Sequence, residues 1–186
     1  ELKVLLVSDV LIRFCEHVQH AFVVVWCMKV IERPVTAIEF GVLSGVEVAA
    51  AVLIYLPAAH LADRFHKRPF VLATFVMFTL FPLTLLLCRS FWPLVGAFAL
   101  RGLKEFGEPT RKALIVDLCP VERRATMFGF YYLVRDSIVS VAAAGGALLW
   151  QVSPSVNLIA AASFGAAGTV LFALRGGRRR SADQAS

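Results

Sequence analysis

Charge is scarce in this sequence. Asp, Glu, Lys and Arg supply 17% of its 186 residues, where an ordinary soluble domain has about 25%. Apolar residues supply 59%, and mean hydropathy is +0.74. This composition argues against a soluble enzyme. It also rules out intrinsic disorder, because too much apolar surface would stay wet. Cysteine is sparse as well. Cys15, Cys27, Cys88 and Cys119 are scattered, and no two form a C-x-x-C pair. They read as apolar filler, not as a disulfide scaffold. Neither H-E-x-x-H nor G-x-S-x-G occurs, so a membrane-embedded enzyme lacks both a metal set and a nucleophile. What remains is an all-α polytopic membrane helix bundle.

A helix crossing about 30 Å of hydrocarbon needs roughly 20 residues. Pro69–Cys88 has 20 residues and no charge, while Ser137–Leu174 has 38 such residues. The longer stretch breaks at the polar, proline-containing cluster Gln151–Asn157. Six spans are predicted, roughly 4–28, 40–62, 69–88, 91–115, 125–150 and 155–174. They form one half-domain over 1–175, followed by a basic, disordered cytoplasmic tail over 176–186. The connections leave no room for an extramembrane domain.

Lys and Arg set the orientation. With the N-terminus in the cytoplasm, twelve of the 19 basic residues flank the inside, and Lys29, Arg33 and Arg89 flank the outside. The net charge of +6 is then a consequence of topology, and no nucleic-acid surface is needed.

Ionisable residues recur in a three-helix rhythm. The first span carries Asp9, Arg13, Glu16, His17 and His20, the second Glu47 and the third none. The fourth carries Arg101, Lys104, Glu105 and Glu108, the fifth Arg135 and Asp136, and the sixth none. A charge near the bilayer centre costs about 2.5–3.5 kcal/mol on insertion scales, so it should face a cavity. The first and fourth spans are therefore expected to line a cavity, and the third and sixth to face lipid. Two three-helix repeats of this kind are what a secondary transporter shows.

Arg13, Glu16 and His20 share one helix face by their spacing, and Glu16 and His20 can meet at i,i+4. They form either a proton or substrate-charge site, since His and a desolvated Glu can titrate near neutral pH, or an internally neutralised packing pair. A metal site would need a second ligand cluster, which is lacking. Arg101, Glu105, Glu108 and Arg111 form a second stripe. Were it a surface helix, only Ser90–Leu100 would remain to cross, which is too short. Arg101 and Glu105 are therefore expected inside the membrane, with Arg111 and Lys112 snorkelling to the cytoplasmic mouth. Glu47 either partners a cation on another helix or lies near the outer interface. Gly41 and Gly45 form a G-x-x-x-G for close helix approach. Trp26, Trp92 and Trp150 fall at the outer ends, as interfacial tryptophans should.

Between the second and third spans lies Ala59-His-Leu-Ala-Asp63-Arg64-Phe-His-Lys67-Arg68. It resembles the signature loop of the major facilitator superfamily, G-x-L-A-D-R-x-G-R-R/K, with Ala59 and His66 in place of the two glycines. The resemblance implies that Asp63, Arg64 and Arg68 latch helix ends together in one state of an access cycle. Arg101-Gly102 resembles a second family motif. The stretches Arg101–Lys112, Phe128–Tyr132 and Gly145–Trp150 look like the C-terminal six-helix half of a bacterial permease. The chain begins at Glu1, and its first methionine is Met28.

The resemblance implies secondary active transport of a small solute across the cell membrane by alternating access. An ion gradient, most simply of protons, would drive it, with no cofactor. Arg13, Glu16, His20, Arg101 and Glu105 are the cavity candidates. Glu16 is the preferred proton carrier and Arg101 or Arg13 the anion-binding group. The expected partners are the lipid bilayer, a small-molecule substrate and a missing N-terminal six-helix half. A six-span homodimer and a non-transporting sensor or scaffold are the alternatives.

Overall fold

The computed structural model describes residues 2–64 and 67–175, with 56 and 59–64 described by backbone alone. Every regular element among them is helical. Helix α1 (Leu2–His20) is followed, after a break at Ala21-Phe22, by α2 (Val23–Val25) and a π turn (Trp26–Val30). Then come α3 (Ala37–Arg64), α4 (Lys67–Leu87) and α5 (Phe91–Leu103). A 3-10 turn (Lys104–Gly107) leads into α6 (Glu108–Asp117), and another (Val121–Arg123) into α7 (Arg124–Val139). The chain ends on α8 (Ala142–Val152) and α9 (Pro154–Arg175).

Length and apolar content qualify four of these stretches to cross a membrane: Ala37–Tyr55, Lys67–Leu87, Val121–Val152 and Pro154–Arg175. The pair Leu2–His20 and Val23–Val30, bent by 46°, makes a fifth if it is one span. Six is reached only if Phe91–Asp117 crosses as well. That segment is helical throughout its length, but charge and a break set it apart. Pro109 has no N–H to offer the Glu105 carbonyl, and its ring crowds that oxygen. The chain tightens there to 3-10 geometry.

Helix α1 packs mainly on α9, with α7, α8 and α4 around it. Helix α4 lies between α9 and α5, and α3 packs outermost on α5. The third and sixth predicted spans, which carry no charge, lie within α4 and α9. In both, 39% of the apolar window is buried, against 6% in α3. Each carries one packed face and one exposed apolar face, and the latter includes Leu80 and Leu83 on α4 and Ile159 and Val170 on α9.

Two apolar clusters occupy opposite ends of the bundle. One gathers Val23, Trp26, Leu43, Phe81, Leu85, Phe98 and Leu158. The other gathers Leu5, Ile12, Val71, Phe75, Ile115, Tyr131 and Phe172. Trp26 is an internal residue of the first cluster, not an interfacial one: it is buried, and its Nε1–H donates to the Leu85 carbonyl at 3.2 Å. Trp150 stacks on Phe22, and only Trp92 is largely exposed.

Close helix approaches occur at other glycines than Gly41 and Gly45. A Cβ at either of those would meet nothing within 4 Å among the described residues. A Cβ at Gly146 would collide with the Val18 backbone, at Gly102 with the Glu47 carbonyl and at Gly165 with Thr79. Gly146→Ala is therefore expected to cost about 1–3 kcal/mol, since backbone cannot move aside cheaply. Gly45→Ala should be neutral or stabilising by about 0.5–1 kcal/mol through helix propensity. Unfolding midpoints in detergent compare the two, and equal midpoints would contradict the packing described. Near Gly146, the buried Asn157 ties three helices: its Nδ2 donates to the Val18 carbonyl at 2.9 Å and the Gly146 carbonyl at 2.8 Å.

Candidate functional site

Between the two apolar clusters lies a layer of charge. Glu16 falls midway between Leu2 and Val30, and Lys104 midway between Phe91 and Asp117. The two meet there, Lys104 Nζ donating to Glu16 Oε1 at 2.5 Å. Arg13 Nη1 donates to the other Glu16 oxygen at 2.7 Å. Glu16 therefore serves two cations, and the predicted i,i+4 contact between Glu16 and His20 is not made. His20 Nδ1 instead accepts from Arg101 Nη2 at 3.2 Å, which leaves the ring proton on Nε2. His17 Nδ1 meets the Arg13 carbonyl at 2.9 Å and is exposed.

Arg101 also pairs with Glu47 on α3, Nε to Oε1 at 3.2 Å, so Glu47 takes the interhelical partner that was one of its two options. Glu105 is the least engaged of the predicted residues. Its one ion pair among the described residues, with Lys104, is 4.0 Å long, and its side chain is 38% exposed.

The ion pairs continue away from Glu16. Arg13 Nη2 reaches Glu108 at 3.2 Å, and Arg111 Nη2 reaches the same carboxylate at 2.6 Å. Arg111 then pairs with Asp9, which also accepts from Tyr131 Oη at 3.1 Å and Arg135 Nη1 at 3.4 Å. Arg111 does not snorkel to the cytoplasmic mouth: it is 1% exposed, and its guanidinium is consumed by Asp9 and Glu108. Arg135 pairs both with its neighbour Asp136 and with a different helix. Arg135 Nε donates to Asp136 at 2.7 Å while Nη1 reaches back to Asp9. Seven side chains thus alternate in sign from Lys104 to Arg135, and four of the six links join different helical elements while two join neighbouring turns of one. Desolvated pairs of this kind hold only when fully partnered.

Three of the cations also rest on phenylalanine faces. Lys104 Nζ lies 5.0 Å and Arg13 Cζ 5.6 Å from the Phe78 ring centroid, and Arg101 Cζ 5.2 Å from that of Phe81. The ring quadrupole partly replaces lost water. Phe78 and Phe81 sit on the uncharged stretch of α4, three residues apart and so on one face. They escaped the sequence reading because an aromatic in an apolar span looks like any other core residue.

A narrow, partly open cleft with enclosed room for little more than a water molecule lies at this place, lined by Glu16, His20, Phe78, Phe81, Arg101 and Lys104, with Gln19 and Val23. Both charged segments interrupt their helices beside it, α1 just after His20 and α5 just before Lys104. The structure thus brings Arg13, Glu16, His20 and Arg101 together and leaves Glu105 at the edge. Among the described residues no group of three His, Cys, Asp or Glu could hold a metal. Of the signature loop, the side chains of Asp63 and Arg64 lie outside the described residues. Arg68 is half-buried on the first turn of α4, and nearby Lys67 bridges to Asp117 at 2.7 Å.

A family model described as Major Facilitator Superfamily matches residues 19–186. The match takes in His20, Arg101, Lys104 and Glu105, and starts just after Arg13 and Glu16. No curated protein matches the chain.

Proposed function

The chain belongs to the major facilitator superfamily, a family of membrane transporters, and from that premise we propose that it moves a small solute by proton-coupled alternating access. One observation carries this. The two charged segments break at the same cleft, and an ion pair between their midpoints forms its wall. Discontinuous helices meeting near the midplane are how secondary transporters build substrate and coupling sites.

In this proposal Arg101 and Lys104 receive the solute and Glu16 carries the proton. Glu16 is bound to two cations. A solute that engages Lys104 takes over as its counter-charge, and Glu16 is then able to carry a proton. Binding and protonation are coupled because the solute competes with Glu16 for Lys104, and Glu16 relieved of that cation is free to take a proton. Glu105, less engaged, is the second acid in the cavity. The gradient, not a cofactor, supplies the free energy.

Asp63, Arg64 and Arg68 would act as the latch between access states. Both ends of the chain would lie in the cytoplasm and the bundle in the cell membrane. A second wall for the cavity would come from an N-terminal six-helix half or from a second copy of the chain.

The test is made in vesicles loaded with a pH-sensitive dye under an inward proton gradient. Amino acids, sugars and carboxylates are added in turn. At least one class should acidify the lumen, and Glu16→Gln should lose that signal by about 100-fold or more, in line with loss of a buried pair's partner. Solute uptake that persists in Glu16→Gln with its proton signal intact would remove the coupling role. Silence from every solute in well-inserted protein would favour the non-transporting alternative.

A further inference from the structure

We infer that the solute is an amino-acid zwitterion, its ammonium taken by Glu105 and its carboxylate by Arg101. The inference names the substrate class for the transport reading above and rests on it. Three features carry it.

The first is a charge count. The chain from Lys104 to Arg135, with Asp136 added, holds four bases and four acids and is neutral. Arg101 and Glu47 make a fifth pair. Glu105 is then a sixth acid with no base of its own, since Lys104, 4.0 Å away, already serves Glu16 at 2.5 Å. Lys112, the next free-standing base along the segment, is exposed and lies about two helical turns on. A lone charge at this depth is costly, so Glu105 calls for a positive group beside it.

The second is exposure. The five bases are drawn inward, none of their side chains more than 18% exposed, whereas that of Glu105 is 38% exposed. The surplus acid therefore stands on the open side, where a ligand reaches it. An ammonium brings it charge and three N–H donors.

The third is what stands beside the acid. Arg101 lies about one turn before Glu105. Its Nε pairs with Glu47 and its Nη2 with His20 Nδ1, which leaves Nη1 without a hydrogen-bond partner among the described residues. The exposed His20 ring offers its Nε2–H nearby. These donors suit a carboxylate. A base and an acid one turn apart match the two ends of a zwitterion, whereas a bare anion is repelled by Glu105 and a bare amine by Arg101. The cleft admits little more than a water molecule, so only the charged ends approach it and the body of the solute stays on the open side. The count also fits the coupling. The layer starts at minus one, a zwitterion adds nothing, and one proton on Glu16 brings the loaded layer to zero.

The probes are alanine, leucine and phenylalanine, each with its 2-hydroxy acid, which lacks the ammonium, and its amide, which lacks the carboxylate. They are titrated by calorimetry against the full-length protein in lipid nanodiscs. At least one amino acid should bind about 10- to 100-fold tighter than both of its analogues, the range for one lost bond to a charged group. In Glu105→Gln the amino acid should lose affinity while its hydroxy acid gains, because the variant removes an attraction from one and a repulsion from the other. A site that was merely disturbed would weaken both. Equal binding of amino acid and hydroxy acid in the parent protein would overturn the inference, and is the result expected if Glu105 simply rests protonated. An amide that matches its amino acid, an unchanged preference in Glu105→Gln, or no binding by any probe would overturn it too. Vesicles that move sugars or carboxylates while no amino acid binds would end this inference and leave transport standing. An amino acid bound with the expected preferences, but no flux of any solute, would do the reverse.

Discussion

Asp9→Ala is expected to destabilise the bundle by about 3–5 kcal/mol, the cost of stranding a buried charge. Asp9 is fully buried and stands at the meeting of three helices: Arg111 on α6, and Tyr131 and Arg135 on α7, all converge on its carboxylate. Removing it affects its two arginines unequally. Arg111 keeps Glu108, whereas Arg135 keeps only Asp136, which is 61% exposed. Most of the loss should therefore come from Arg135. The double change Asp9→Leu with Arg135→Met should recover a large part of it, because an apolar pair replaces an ion pair at little net cost. Asp9→Asn keeps an acceptor for Tyr131 and should fall between. Unfolding midpoints in detergent and the fraction of well-folded protein recovered from membranes measure the series. A single Asp9→Ala change within about 1 kcal/mol of the parent would mean that water or lipid headgroups solvate the arginines there, and that the layer is not sealed.

The helices were legible because hydropathy over twenty residues is a local property, and the family was legible because its signature loop sits where two such stretches join. The polar stripes were legible for the same reason. Arg13 with Glu16 and Arg111 with Glu108 are both three residues apart and do pair. Partner choice across the chain was not legible. Lys104 and Glu16 are 88 residues apart, and Arg111 and Asp9 are 102 apart. No period in the sequence records which stripe faces which. Asp9 left one trace: it lies four residues before Arg13, on the same face. The glycines failed differently. Gly41 and Gly45 have the right spacing for a helix contact, but α3 turns that face outward, where nothing among the described residues approaches. Gly102, with no such motif, lies under Glu47. Spacing gives a helix the capacity for a close contact, and the placement of its neighbours decides whether it is used.

The sequence left two roles for Glu16 open, cavity function or packing pair, and paired substitutions at Glu16 and Lys104 separate them. Glu16→Gln takes the shared acid from Arg13 and Lys104 at once. Lys104→Met takes one of two cations from Glu16, which keeps Arg13. The acid's loss should therefore be the more damaging of the two, by about 3–5 kcal/mol against a smaller cost. In the double variant Glu16→Gln with Lys104→Met, a cation and its acid vanish together, and Arg13 retains Glu108. Stability should return most of the way to the parent, read as the unfolding midpoint. If the pair only fixes packing, solute-driven acidification of the vesicle lumen should return with it. If Glu16 carries the proton, the refolded double variant should stay silent by about 100-fold or more, because the bundle regains its pairing but not its proton site. That divergence separates a transport role for the pair from packing alone; because Lys104 also receives the solute, solute binding to the refolded double variant then tells loss of the proton site from loss of the solute site. A variant that regained both would assign Glu16 to structure and pass the coupling role to Glu105, the remaining acid at the edge of the cleft.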